Sequence, residues 1–99
     1  MDINAYIEDR ILFYKEKDLI FSQEKIDYLS ERGLMPLYTG DSILKMLNFI
    51  ANNVDKVKDF DRKSNPKVIM EIMQATGGGA SPPMVYFEVE KLQLALLEE

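Results

Sequence analysis

The chain of 99 residues contains no cysteine, no histidine and no tryptophan. The lack of cysteine excludes disulfide bonds, thiolate nucleophiles, zinc ribbons and iron–sulfur centres. The lack of histidine excludes a Ser-His-Asp relay, an imidazole metal ligand and an imidazole proton shuttle working near neutral pH. These exclusions depend only on composition and hold for any fold.

Long apolar runs are also missing, since the longest wholly apolar segments have only a few residues. A membrane-spanning helix needs roughly 18–20 such residues. The first residues, MDINAYIEDR, carry charge from Asp2 onward and lack the basic and apolar regions of a secretory signal peptide. The sequence therefore predicts a soluble, cytoplasmic protein without a membrane segment.

Positive charge is scarce, because 12 Lys and Arg stand against 17 Asp and Glu, for a net charge of −5. Binding to a nucleic-acid backbone depends on clustered cations, so nucleic acid is not an expected partner. The cations that do cluster lie in the middle of the chain, among three aspartates, and we interpret this stretch as a solvated helix end and loop. They are Lys56, Lys58, Arg62, Lys63 and Lys67.

The remaining composition is that of one small globular domain spanning residues 1–99. Apolar residues make up 46% of the chain and charged residues 29%, far from the balance of a disordered protein. A chain of this size buries roughly 60–68% of its unfolded surface and can fold alone with little margin. Association with another chain is therefore an alternative source of stability.

Apolar residues recur at helical spacing in five segments, which predicts an all-α domain, an irregular bundle of about five helices. The first predicted helix runs from about residue 3 to residue 17, with Asp2 as its N-cap. The second follows Ser22 as N-cap, buries its apolar side and ends at Gly33, a residue suited to the C′ position. Pro36 then prevents a continuous helix.

The strongest periodicity belongs to the third segment, for which Asp41 is the predicted N-cap. Phe49 and Phe60 project from the side opposite its apolar stripe, so this helix is expected to contact neighbours on two sides. Asn65 is predicted to cap a short fourth helix with Pro66 at its first position. The stripe of the third helix comprises Ile43, Met46, Leu47, Ile50, Val54 and Val57.

The segment after the three glycines fits two patterns. With a period of two, Val85, Phe87 and Val89 would line one face of a strand, which gives an α+β fold with a strand near residues 84–89. At 100° per residue, Val85, Val89, Leu92 and Leu96 fall within about 60° of one another. Ser81 can cap such a helix with Pro82 as its first residue. We predict the helix.

The run TGGGASPP, with Gly77, Gly78 and Gly79, is interpreted as a flexible joint between two helices. A Walker A loop would need a lysine after the last glycine, and a dinucleotide fingerprint would need a preceding strand. Pro82 and Pro83 have no backbone N–H to offer an anion at the helix start. The alternative is a small-ligand-binding or enzymatic domain that uses this loop.

Acidic residues give no distinct metal or catalytic motif, and no cofactor is predicted. An EF-hand loop beginning at Asp59 would need Gly and Glu where Ser64 and Met70 stand. Glu88 and Glu90 are interpreted as solvated side chains. A helix-turn-helix across residues 22–53 would have a long turn and only Lys45 on its second helix, so a DNA-associated regulator remains a distant alternative.

The leading hypothesis is an interaction role for the C-terminal helix. Phe87 and Leu94 lie nearly opposite its buried stripe, and a helix apolar on most sides is either central or shared with another chain. The sequence therefore suggests a non-catalytic protein–protein interaction module, a small acidic regulator or inhibitor that self-associates through the C-terminal helix as a homodimer or binds another protein. Such a protein could also present carboxylates to a cationic groove on a larger partner. The predicted contact residues are Phe49, Tyr86, Phe87, Leu94 and Leu97.

Overall fold

The computed structural model of the chain describes residues 1–17, 19–20, 23–34 and 40–98. Within these ranges the backbone forms six helices and no strand. The predicted all-α fold is therefore confirmed, and the alternative strand near residues 84–89 is wrong because that segment is helical. The helices are α1 (Ile3–Glu16), α2 (Gln23–Glu31), α3 (Gly40–Asn52), α4 (Val54–Lys58), α5 (Lys67–Ala75) and α6 (Pro82–Leu97).

The core forms around α3, which packs against α1, α4, α5 and α6. Burial of apolar side chains is the main favourable term in folding. Five of the six residues of the predicted stripe lie in this core, whereas Val54 is only half-buried and lies outside it. Ile26 and Leu29 of α2 are only half-buried and lie outside it. None of the helices in the described ranges is both long and apolar enough to cross a membrane. The largest fully buried apolar side chains are Ile43, Met46, Leu47, Ile50, Val57, Ile72, Val85, Val89 and Leu92.

The third predicted helix is divided in two at Asn53. The Asn53 side-chain amide donates to the carbonyl of Phe49 at 2.8 Å, and its backbone leaves the helical region at φ −135°. Asparagine competes with the helix ladder in this way, so the chain re-enters a helix only at Val54. The prediction that Phe60 projects from the side of this helix opposite the apolar stripe is wrong. Helix α4 ends at Lys58, and Phe60 is buried in the core.

Two predicted N-caps are confirmed. The Asp2 carboxylate accepts from the Ala5 N–H at 3.2 Å, and the Ser81 hydroxyl accepts from the Met84 N–H at 3.3 Å. Pro82 is the first residue of α6, where its missing N–H costs nothing. Ser22 and Pro36 lie outside the described residues.

Two other predicted N-caps are wrong. Asp41 lies inside the first turn of α3, because that helix already begins at Gly40. Asn65 instead closes a tight loop: its backbone exchanges two hydrogen bonds with Asp61, each of 3.0 Å, and Pro66 takes the N-cap position of α5. The Asp61 carboxylate stabilises this loop by accepting from the backbone N–H groups of residues 63 and 64. These bonds hold its pKa below the ordinary value.

Candidate functional site

Helix α6 is apolar on two opposite sides. One side packs into the core through Val85, Val89 and Leu92, which are fully buried. On the other side Phe87 is 54% exposed and Leu94 is 63% exposed. The first side explains how the helix is held in the domain, whereas the second leaves two large apolar side chains in contact with solvent.

Phe87 and Leu94 line an open groove of about 770 Å³ on the surface of the domain. We call this feature the α6 groove. Two prolines at the start of α6 form one end, and charged side chains border its apolar floor. The groove is lined by Arg62, Pro82, Pro83, Tyr86, Phe87, Glu90, Lys91 and Leu94.

One border of the α6 groove is held by an ion pair between Arg62 and Glu90. Arg62 Nε donates to the two carboxylate oxygens at 3.1 and 3.3 Å, and a terminal guanidinium nitrogen contacts Oε1 as well. This hydrogen bonding raises the pKa of Arg62. The guanidinium also lies 4.8 Å above the ring of Tyr86, which in turn packs beside Phe60. An exposed ion pair adds little stability, so its main effect is to orient these side chains.

A buried polar cluster joins α1 to α6. Arg10 of α1 and Glu88 of α6 are 7% and 1% exposed, and Arg10 Nε donates to the two Glu88 oxygens at 2.9 and 3.0 Å. The Tyr14 hydroxyl donates to Glu88 Oε1 at 2.9 Å. Burial and the negative charge of Glu88 raise the pKa of Tyr14. Burial would lower the pKa of Arg10, but its hydrogen bonds to Glu88 and the charge of that carboxylate raise it overall.

Phe87 connects this buried cluster to the exposed groove. The guanidinium carbon of Arg10 lies 5.7 Å from the centre of the Phe87 ring and 4.4 Å from that of Phe13. A cation at these distances is attracted to the aromatic face. The Arg10 guanidinium therefore favours one orientation of the Phe87 ring, while much of the surface of that ring faces solvent.

The other predicted contact residues have different surroundings. Tyr86 is half-buried and lines the groove. Leu97 is 81% exposed and borders a neighbouring depression with Lys58, Gln93 and Leu96. Phe49 is half-buried on α3, packs against the core and is not a groove residue.

Sequence reasoning missed the charged members of this site. The interpretation of Glu88 as solvated is wrong. Glu88 precedes Val89 on the side of α6 that packs into the core and is only 1% exposed. A glutamate inside an apolar stripe is a signal for a buried partner, but the partner Arg10 is 78 residues away in sequence. The Arg62–Glu90 pair likewise depends on how the loop after α4 returns to α6, which local periodicity does not encode.

The glycine joint ends α5 in a Schellman motif. The Gly77 N–H donates to Gln74 O at 3.1 Å, the Gly78 N–H donates to Met73 O at 3.0 Å, and both glycines have positive φ. Gly79 lies so close to α3 that an added Cβ would be 1.9 Å from the Ser42 Oγ. The amides of all three glycines donate within the joint, since Gly79 N–H binds the Thr76 carbonyl. Backbone donors that an anion would need are thus occupied.

Among the described residues, no cluster of three or more carboxylates is arranged to hold a metal ion. Comparison of the chain with protein-family models, with curated proteins and with solved structures found no significant match.

Proposed function

We propose that this protein is a non-catalytic protein–protein interaction module, a small acidic regulator or inhibitor that self-associates through the α6 groove. The observation that carries the proposal is the exposure of Phe87 and Leu94 on the side of α6 opposite its buried stripe. Because the core stripe already fixes the helix in its own domain, this second apolar side is free to contact another chain.

The composition of the groove supports a protein contact. Single exposed apolar residues are common on protein surfaces and need no explanation. Here an aromatic ring and a leucine lie on one side of one helix, between an Arg62–Glu90 border and Lys91. Apolar and aromatic anchors surrounded by charged side chains are typical of protein interfaces. The pre-oriented Phe87 ring also loses less conformational freedom on binding than a mobile side chain would.

The acidic character of the protein suits a regulatory role. Exposed carboxylates are concentrated on α1 and α2, and the chain as a whole carries a net charge of −5. A dimer joined through α6 would double this charge and attract a cationic surface on a larger partner. The acidic residues exposed on α1 and α2 are Glu8, Asp9, Glu16, Glu24, Asp27 and Glu31.

Mass measurements in solution test the proposal. Size-exclusion chromatography with light scattering should give a dimer for the native chain at high concentration and a monomer for Phe87→Glu combined with Leu94→Glu. Burying two carboxylates against an apolar partner is costly, whereas both stay solvated in the monomer. Circular dichroism should show the same helicity for the two proteins.

A matched control carries the same substitutions elsewhere. Met70 of α5 and Tyr28 of α2 are 67% and 54% exposed and lie outside the α6 groove. Met70→Glu combined with Tyr28→Glu should leave the dimer intact. Identical monomeric masses for the native chain and both variants would contradict self-association through this groove.

A further inference from the structure

Resting on the proposed self-association, we infer that two copies pair with their α6 helices antiparallel, around a two-fold axis midway between Glu90 and Lys91. The order of residues on the exposed side of α6 supports this arrangement. Under this symmetry each residue faces the one equally distant from the midpoint on the other copy. Phe87 then faces Leu94 of the partner subunit, and Glu90 faces Lys91 of the partner subunit.

The exposed side of α6 is self-complementary about this midpoint. With about 100° of rotation per residue, Phe87 and Leu94 lie within about 10° of the direction midway between Glu90 and Lys91. With about 1.5 Å of rise per residue, they lie about 5 Å to either side of it along the helix. Pro83 and Glu98, both exposed, form the next matched pair at the ends. The residues along this direction therefore map onto one another, as a two-fold interface requires. Leu97, which is 81% exposed, lies about 70° away from this direction and outside the pairing.

Charge selects the antiparallel direction. Lys91 forms no ion pair with any described residue, and the Glu90 side chain is 37% exposed although it already binds Arg62. In the antiparallel arrangement each Lys91 meets an Arg62–Glu90 pair of the other copy, so opposite charges alternate across the axis. In a parallel arrangement Glu90 would face Glu90 and Lys91 would face Lys91, which is repulsive.

Single charge reversals test whether these pairs form. Glu90→Lys places lysine opposite lysine, and Lys91→Glu places glutamate opposite glutamate, so each variant alone should dimerise about tenfold more weakly than the native chain. An equimolar mixture should dimerise more tightly than either variant alone, because every facing pair is then opposite in charge. The matched controls Glu24→Lys and Lys67→Glu change the net charge by the same amounts at exposed positions outside the groove. Each control alone, and their mixture, should dimerise as the native chain does.

Mixing the native chain with the double reversal Glu90→Lys, Lys91→Glu tests the direction. An antiparallel mixed dimer would bring like charges together, so native mass spectrometry with one ¹⁵N-labelled partner should detect fewer mixed dimers than random pairing gives. An excess of mixed dimers would overturn the antiparallel arrangement in favour of the parallel one.

The outcomes separate this inference from the proposed function. If the native chain dimerises and Phe87→Glu with Leu94→Glu is monomeric, but mixed dimers form at the random frequency, the pairing of Glu90 with Lys91 is refuted while self-association through α6 stands. A native chain that stays monomeric at millimolar concentration would overturn both and leave the groove to a different protein.

Discussion

Glu88 is the buried carboxylate at the centre of the polar cluster that joins α1 to α6. A buried carboxylate is costly unless its charge is paired and its oxygens are hydrogen-bonded. Arg10 and Tyr14 meet both needs, and Arg10 also supports the ring of Phe87. The same cluster therefore attaches α1 to α6 and orients the main aromatic residue of the proposed interface.

Removing one member of the buried pair should destabilise the fold strongly. We expect Glu88→Leu to lower the free energy of unfolding by about 3–5 kcal/mol, because it leaves the Arg10 guanidinium buried without its counter-charge. The combined change Arg10→Met, Glu88→Leu should recover most of that loss, since no buried charge remains. Urea unfolding of the native chain, both single variants and the double variant gives the coupling energy; strictly additive losses would contradict the account.

Tyr6 offers a substitution expected to stabilise the protein. Its hydroxyl is buried and has no hydrogen-bond partner among the described residues. An unsatisfied buried polar group costs about 1–3 kcal/mol, so Tyr6→Phe should raise the free energy of unfolding by about 1 kcal/mol. Thermal and urea unfolding both measure this; a clear loss of stability would mean that the hydroxyl contributes an interaction.

The same tyrosine makes stability depend on alkaline pH. Burial, followed by the charge of Glu88, raises the pKa of Tyr6 from an ordinary 10.0 to about 12. The folded chain then keeps its proton where the unfolded chain loses it. The contribution of Tyr6 to the free energy of unfolding is therefore constant below pH 10 and decreases as the pH rises from 10 towards 12. Tyr6→Phe should reduce this slope of unfolding free energy with pH, and an unchanged slope would argue against Tyr6 as its source.

The helices were predictable from sequence wherever local chemistry decides the outcome. The apolar period located α1, the stripe of α3 and the buried side of α6, and the side-chain caps Asp2 and Ser81 were recognisable from residue type. The break at Asn53 was not, because asparagine occurs both inside helices and at their ends. The hydrogen bond from the Asn53 side chain to the Phe49 carbonyl ends the helix at this position, and it forms only once the chain has folded.

The joint between α5 and α6 shows how one glycine can be required by packing rather than by backbone angle. Gly79 has no positive φ, but an added Cβ would lie 1.9 Å from Ser42 Oγ and 2.7 Å from Ser42 Cβ. We expect Gly79→Ala to lower the free energy of unfolding by about 1–3 kcal/mol through overpacking. Ser42→Gly should lower the free energy of unfolding less in the Gly79→Ala variant than in the native chain, because it removes the crowded side chain. Equal costs in the two backgrounds would exclude this contact as the cause.

The whole molecule combines a folded acidic domain with an exposed apolar side on its last helix. Composition predicted the charge and the exclusion of cysteine and histidine chemistry, and periodicity predicted that α6 is apolar in more than one direction. The groove itself also needs Arg62, which a loop brings to Glu90 across 28 positions of sequence. Contacts of this range follow from tertiary packing and leave no signal in local spacing.

A dilution series followed by NMR tests self-association through α6 most directly, because it reports both whether the native chain associates and where. The account predicts concentration-dependent shifts for Phe87, Leu94 and the neighbouring groove residues, with Met70 and Tyr28 unchanged. These shifts should follow a single monomer–dimer equilibrium, weak because one helix pair buries a small interface. Spectra that do not change with concentration up to the millimolar range, or shifts centred on Met70, would contradict it.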